Sequence, residues 1–142
     1  MDKNVLFQKF VAFTAAVHQT TNEITKNVKS ETITPLHYKI LEYIAVSQPV
    51  TLSEISECMH MSMPNTSREL RKLSEKQFLE KVADDEDRRK HIIRLSKKGE
   101  AMMNESFQRI ESRFIERMEH VSEEELKEIE RALDLLHSKV FN

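Results

Sequence analysis

A single glycine in 142 residues is the feature that most narrows the folds open to this chain. Only three prolines accompany it, so the many turns of an all-β fold lack the residues that they need. Gly99 alone cannot form a dinucleotide-binding fingerprint or a phosphate-cradling loop. The composition, with 39% hydrophobic and 32% charged residues, therefore predicts long helices around a modest core, in one domain with helical extensions.

Apolar residues spaced three and four positions apart predict amphipathic helices at both ends of the chain. The first helix is predicted over residues 4–28. Ser96 is predicted to cap a long fifth helix, and a capping box of Ser122 and Glu125 to open the sixth. We interpret these helices as a dimerisation bundle. The predicted interface is Leu6, Phe10, Phe114, Leu126, Ile129, Leu133, Leu136 and Val140.

Between these ends, capping signals predict a helix-turn-helix. Thr34 followed by a proline begins a second helix, and Thr51 with Glu54 forms a capping box at the start of a short third helix. Ser62 is the predicted N-cap of a fourth helix that runs to about residue 76. The turn at residues 60–61 has no glycine, so one of its two residues must accommodate the bend.

A β-hairpin is predicted after the fourth helix. Residues 78–82 and 91–95 have the composition of two short strands, and residues 84–90 form a charged run between them. Such a hairpin beside a helix-turn-helix is called a wing. The sequence thus predicts a mainly α fold with a small β-hairpin wing.

The outer face of the fourth helix carries residue types that suit DNA. Asparagine can bridge an adenine edge and arginine a guanine edge, while serine hydroxyls and free N–H groups of the first turn suit phosphate. The candidate residues are Ser62, Pro64, Asn65, Ser67, Arg68, Arg71 and Lys72. The same residues are equally typical of an ordinary solvated helix face, and this helix alone does not decide between the two.

The charge distribution favours the nucleic-acid interpretation. The formal net charge of the chain is −2, but residues 62–99 carry 11 Lys and Arg against 7 Asp and Glu. Residues 100–142 carry 6 against 11. Since salt screens charges beyond roughly 10 Å, a basic middle segment attracts phosphate whatever the total charge.

The wing tip offers a second set of candidates: Asp87, Arg88, Arg89 and Lys90. A cationic side chain at a hairpin tip can enter a narrow minor groove. Asp87 lies two positions before Arg89, on the same side of an extended segment, where it can orient the guanidinium. By itself, this run is also consistent with a solvated turn.

The segments 84–89 and 95–99 resemble the wing and following helix start of the multiple-antibiotic-resistance (MarR) regulators. Residues 34–41, 52–59 and 62–73 are similar to the family's second helix and helix-turn-helix. The resemblance implies a winged helix-turn-helix with dimerisation helices at both ends. The implied segments are 1–33 (N-terminal dimerisation helix and connector), 34–99 (DNA-binding domain) and 100–142 (C-terminal dimerisation helices).

The resemblance also implies a function. Arg89 would be the minor-groove arginine, Asp87 its orienting partner, and Arg88 a phosphate contact. The chain would bind pseudo-palindromic double-stranded DNA as a homodimeric repressor, released by a small ligand or by oxidation. Gln77 and Asp85 stand where the family often has Gly and Pro. We therefore expect Gln77 to adopt a positive φ at the helix end, where glycine would be unstrained.

The releasing signal is less well marked. The resemblance implies a ligand cleft whose candidate residues are Phe13, Val17, His37, Tyr38 and Tyr43, although residues at such spacing are typical of core as well. The family's peroxide sensors carry a reactive cysteine near the start of the first helix. This chain has Thr14 and Ala15 there, so that mechanism is not supported. The lone Cys58 is interpreted as a small, partly buried apolar residue, with a redox switch as the alternative. His18 and His37 could approach each other, but no metal box is present, and no metal or cofactor is expected.

Other classes of function have weaker support. No nucleophile with a neighbouring base and no paired-carboxylate signature is present, so we do not expect an enzyme. A winged-helix module that binds an acidic protein partner remains the alternative to a DNA-binding regulator. The lone cysteine and the lack of a leader or a membrane-length apolar run make the cytoplasm the simplest location, with no membrane partner.

Overall fold

Six helices and one β-hairpin follow one another in a computed structural model, which describes residues 1–25, 33–87 and 90–142. The helices are α1 (Lys3–Ile24), α2 (Pro35–Ser47), α3 (Leu52–Met59), α4 (Met63–Glu75), α5 (Lys97–Arg117) and α6 (Glu123–Lys139). The strands are β1 (Leu79–Ala83) and β2 (His91–Leu95). The chain divides into two compact units, Met1–Ile110 and Glu111–Asn142. The predicted mainly α fold with a small hairpin is confirmed.

Side-chain caps determine where most helices begin. The Thr34 hydroxyl accepts a hydrogen bond from the His37 N–H at 3.1 Å, and the Ser62 hydroxyl accepts one from the Asn65 N–H at 3.2 Å. The predicted capping box that opens α6 is complete. At α3, Thr51 caps the Glu54 N–H, but the Glu54 carboxylate accepts from the Thr51 hydroxyl at 3.0 Å. Only the Thr51 half of that predicted box is therefore formed.

Two residues without the freedom of glycine turn the chain at helix ends. His60 ends α3 with φ of 54°, so it is the residue that accommodates the bend between α3 and α4. Gln77 has φ of 69°, as predicted, and follows the end of α4. There the Gln77 N–H donates to the Ser74 carbonyl and the Phe78 N–H to the Leu73 carbonyl, which satisfies carbonyls that the helix end would leave open.

The wing is an antiparallel pair in which Leu79 faces Leu95 and Ala83 faces His91. The predicted first strand was one residue too early, because Phe78 still closes the end of α4. The loop between α2 and α3 joins the sheet edge, with Val50 bridging to Ile93. The Gln48 side-chain oxygen accepts from the Leu95 N–H at 2.9 Å. The wing is therefore fastened to the loop that precedes the helix-turn-helix.

The core of the first unit is built around α2. Side chains that are 2% exposed or less come from α2 itself, the loop after it, α3, α4, β2 and α5: Ile40, Leu41, Ile44, Val50, Ile55, Thr66, Leu70, Leu73, Ile93 and Met103. Gly99 lies so close to the Phe78 backbone that a Cβ there would collide with the Phe78 carbonyl oxygen. Ser96 caps α5 through the Gly99 N–H at 3.0 Å. The single glycine of the chain thus allows α5 to pack against the start of the wing.

The first helix is shorter than the predicted range of residues 4–28. It ends at Ile24, and the Thr25 hydroxyl donates to the Thr21 carbonyl at 2.7 Å. The predicted residues 26–28 and the connector up to residue 32 lie outside the described residues. The division into segments 1–33, 34–99 and 100–142 stays a prediction.

Candidate nucleic-acid interface

Helix α4 has one face in the core and one in solvent. Thr66, Leu70 and Leu73 are 0–1% exposed and anchor the inner face. Met63, on the same side of the helix by its spacing, is 46% exposed, because it lies in the first turn of α4. The helix is therefore held against the core along its middle, and its N-terminal turn projects into solvent.

The solvent face of α4 displays the predicted recognition residues. Ser62, Pro64, Asn65, Arg68, Arg71 and Lys72 are exposed, and Ser67 is half-buried. Within the part of the chain that the structure describes, neither Arg68 nor Arg71 is engaged in an ion pair. Two guanidinium groups and an asparagine amide are therefore available on one surface, which we call the α4 outer face.

Lys72 differs from the two arginines, because a carboxylate on its own helix contacts it. Its ammonium lies 3.3 Å from Glu69 Oε1. The second oxygen of Glu69 lies 2.6 Å from Nε2 of His37 on α2. The hydrogen bond from His37 lowers the pKa of the Glu69 carboxyl, the partial burial of the group opposes this, and Lys72 lowers the pKa further.

Sequence reasoning missed Glu69. Glu69 lies three residues before Lys72, and this spacing is only a weak indication of an ion pair on the helix surface. The partner on α2 lies 32 positions away, and no sequence pattern marks that pairing. His37 is one of the residues predicted to line a ligand cleft. The structure places its side chain inside the protein against α4.

The wing tip is described in part. Asp87 and Lys90 are exposed, and the Lys90 N–H donates to the Asp87 carbonyl at 2.9 Å, which closes the turn. Arg88 and Arg89 lie outside the described residues. The proposed orientation of Arg89 by Asp87 therefore stays a prediction.

The five predicted cleft residues lie in different environments. Phe13 and Val17 on α1 are 47% and 44% exposed, whereas His37 and Tyr38 are buried. Burial raises the pKa of Tyr38, and the charge of Glu42 adds to the shift. Tyr43 is partly buried against the core, and its pKa is also raised, by burial first and then by nearby acidic groups. The α2 members thus serve the core, and the cleft stays a prediction.

Cys58 is exposed, so its interpretation as a partly buried residue was wrong. Helix α3 packs through Leu52, Ile55 and Met59, and the cysteine lies outside that stripe. His18 contacts Asn22 at 3.3 Å, while His37 contacts Glu69. Among the described residues, no group of three His, Cys, Asp or Glu side chains is arranged to hold a metal ion.

The terminal helices expose apolar side chains in the single chain. On α1, Leu6 is 54% exposed and Phe10 is half-buried. Exposures on α5 and α6 are 47% for Phe114, 37% for Leu126, 40% for Ile129 and 55% for Leu133, with Val140 after α6 at 55% and Leu136 half-buried. Apolar surface of this kind is typical of a protein interface. In the described ranges, no helix is both long and apolar enough to cross a membrane.

A short helix, a tight turn, a second helix with an exposed polar face and a following hairpin together define a winged helix-turn-helix, a class of DNA-binding domain. Residues 32–90, which contain α2, α3, α4 and β1 and end just before β2, match the sequence profile of the MarR family. The described structure has the fold of that family's transcription regulators.

Solved structures show how far the likeness extends. A MarR family protein from Bacillus stearothermophilus is 24% identical, with a TM-score of 0.78 over 100% of this chain and 99% of the other. Transcriptional regulator Tm0710 from Thermotoga maritima is 20% identical, with a TM-score of 0.70 over 92% and 93%. MepR of S. aureus, solved with ethidium bromide, is 20% identical, with a TM-score of 0.66 over 92% and 94%. No curated protein gives a significant sequence match. The resemblance to the MarR regulators, based on residues 84–89 and 95–99 among others, is confirmed: the chain has the MarR fold.

Proposed function

We propose that this protein is a transcription repressor that binds a pseudo-palindromic DNA operator as a homodimer and is released by a small ligand. The observation that supports this most strongly is the α4 outer face. It presents an amide, two guanidinium groups with no ion pair among the described residues, and a helix N-terminus beside one another in solvent. These groups lie on the second helix of a helix-turn-helix, which is the helix that enters the major groove of DNA in this class of domain. Their position therefore favours DNA recognition over an ordinary solvated helix face.

The roles on α4 follow from side-chain chemistry. Asn65 and Arg68 reach base edges in the major groove, since each can form a two-point contact with adenine or guanine respectively. Ser67, Arg71 and Lys72 contact phosphates, which fix the register of the helix. The Ser62 side chain is already used as the helix cap, so its contribution to phosphate binding is to orient the free N–H groups of the first turn.

The wing supplies a second contact. In this proposal, Arg89 enters the minor groove, Asp87 orients it, and Arg88 and Lys90 contact phosphates. Support comes from the family resemblance of the charged run and from the exposure of Asp87 and Lys90 at the tip. Replacing Arg89 with alanine should weaken operator binding while the fold is retained.

Dimerisation uses the exposed apolar residues of α1, α5 and α6. A two-fold dimer presents two α4 helices, so its operator contains two inverted half-sites about one helical turn apart. A role in binding operator DNA also leads us to expect an intracellular, cytoplasmic protein with no enzymatic role.

Release by a small molecule is supported by the fold relative MepR, which was solved with ethidium bromide. We assign the ligand cleft to the exposed α1 residues Phe13 and Val17 together with Tyr43, and His37 and Tyr38 would form its floor. Cys58 is a second route, because its thiol is exposed and accessible to oxidants.

Selection of bound fragments from random duplex DNA, at physiological salt, tests the proposal. We expect an inverted repeat with half-sites about 10 base pairs apart, centre to centre. Selection is repeated with protein that has been unfolded and refolded, which removes any bound releasing ligand. Failure of both preparations to enrich a motif would contradict the proposal and favour a winged-helix module with a protein partner.

A further inference from the structure

A hydrogen bond between two helices connects the core of the protein to its α4 outer face. Nε2 of His37 on α2 lies 2.6 Å from Oε2 of Glu69 on α4, and the side chains are 5% and 19% exposed. An ionised carboxylate can only accept, so Nε2 carries the hydrogen. The buried Nδ1 atom has no hydrogen-bond partner among the described residues. Glu69 is thus the polar partner that the structure shows for this imidazole.

The second oxygen of the same carboxylate faces outward. Glu69 Oε1 lies 3.3 Å from Nζ of Lys72, whose side chain is 53% exposed. One carboxylate therefore bridges a buried imidazole and an exposed ammonium. A lysine side chain in solvent samples many rotamers, and an ion pair between two exposed side chains usually does little to restrict them. Here the buried His37 holds the Glu69 carboxylate in place, so the carboxylate is a fixed partner for Lys72.

The same contact determines where a negative charge lies on the helix. Glu69 belongs to α4, and a free carboxylate beside Arg68 would repel phosphate and compete for the guanidinium. His37 holds the carboxylate towards α2, where it is largely covered by protein. The contact therefore keeps the acidic group away from the surface that carries the arginines.

We propose that His37 is a positioning residue for DNA binding: through Glu69 it holds Lys72 for phosphate contact and keeps the Glu69 carboxylate away from the DNA. This inference depends on the function proposed above. If His37 has this role, an imidazole buried in the core contributes to operator affinity without touching DNA.

A double-mutant cycle between His37 and Lys72 tests this. Operator affinity is measured over a range of salt concentrations for the wild type, His37→Leu, Lys72→Ala and the double variant. In the wild-type background, Lys72→Ala should weaken binding and reduce the salt slope by about 1. In the His37→Leu background, the same change should have a smaller effect, with a coupling of about threefold or more. His37→Gln should restore most of the coupling, because its amide can donate to Glu69.

Two controls separate positioning from loss of stability. Ile40→Val alters a fully buried residue of the same helix without a hydrogen bond to α4, and it should leave the salt slope and the Lys72→Ala effect unchanged. If His37→Leu does not fold, Glu69→Ala breaks the bridge from the other end and should give the same loss of coupling.

Failure of the proposed function and failure of the positioning role give different results. Wild-type protein that selects no operator contradicts the proposed function. A selected operator, with effects of His37→Leu and Lys72→Ala that simply multiply and a salt slope unaffected by His37→Leu, overturns the positioning role alone.

Discussion

At the residue scale, the backbone at Gln77, just after α4, is in a conformation that favours glycine. Gln77 has φ of 69°, a conformation that disfavours a residue with a Cβ by about 1 kcal/mol. Gln77→Gly should therefore raise the free energy of unfolding by about 0.5 kcal/mol, after the entropy of glycine in the unfolded chain is counted. Urea denaturation measures this. Gln77→Ala is the control and should give no gain. A loss of stability in Gln77→Gly would show that the glutamine side chain has a stabilising role.

Gln77 and His60 also show what can be predicted about single residues. The positive φ of Gln77 follows from local rules, because it stands at a helix end where glycine is usual. The bend at residues 60–61 was also predicted, but the sequence did not decide which of its two residues takes it, and the structure assigns it to His60. Cys58 was predicted wrongly, because Met59 rather than Cys58 continues the apolar stripe of α3. Glu69 was missed because its partner comes from another helix, and a contact across 32 positions has no signature in one sequence.

At the scale of elements, the contact between α2 and α4 predicts a pH dependence of stability. The hydrogen bond from His37 holds the pKa of Glu69 below its usual value. The folded chain therefore ionises Glu69 more readily than the unfolded chain. The resulting stabilisation is present above the ordinary glutamate pKa, about 4.3, and is lost as the pH falls through the lower folded value.

Urea unfolding between about pH 6 and pH 3 tests this expectation. The wild type should lose more stability over this range than Glu69→Gln, which has no carboxyl to titrate at that position. Protein concentration is held constant, because dimerisation would also change apparent stability. Parallel curves for the two proteins would mean that Glu69 has the same pKa in the folded and unfolded chains.

Element boundaries were predictable where a side chain caps them. Thr34, Ser62 and Ser122 were read directly from the sequence, and each accepts the expected backbone hydrogen bond. The first strand was shifted by one residue, since the hydrogen bond of the Phe78 N–H to α4 is not visible in residue types. At the start of α3, the Glu54 carboxylate accepts a hydrogen bond from the Thr51 hydroxyl, which is not the backbone contact that the capping box predicts.

At the scale of the whole molecule, the apolar stripe of α6 predicts a dimer. Leu133 is 55% exposed in the single chain. Leu133→Glu places a charge in the proposed interface and should weaken dimerisation by about a hundredfold or more, because an unpaired buried charge costs about 3–5 kcal/mol. Sedimentation should then give the mass of one 16.7 kDa chain where the wild type gives that of two.

Ser138→Glu is the matched control, because it adds the same charge on the opposite side of α6, and it should remain dimeric. A wild-type protein that is monomeric at micromolar concentration would contradict the dimer, and a dimeric Leu133→Glu protein would place the interface elsewhere. The sequence predicted that these helices exist and which residues form their stripes. It could not show which stripe meets a partner chain, because that depends on a surface formed by two chains.

The selection from random duplex DNA, repeated with Arg68→Ala, tests whether the α4 outer face reads DNA bases. We expect Arg68→Ala still to recover the inverted repeat but to lose its preference at one base pair, the same in both half-sites, at a cost of about 1–3 kcal/mol for the preferred base. Lys72→Ala should instead recover the wild-type motif with weaker binding. An unchanged motif from Arg68→Ala would contradict the assignment of base reading to this face of α4.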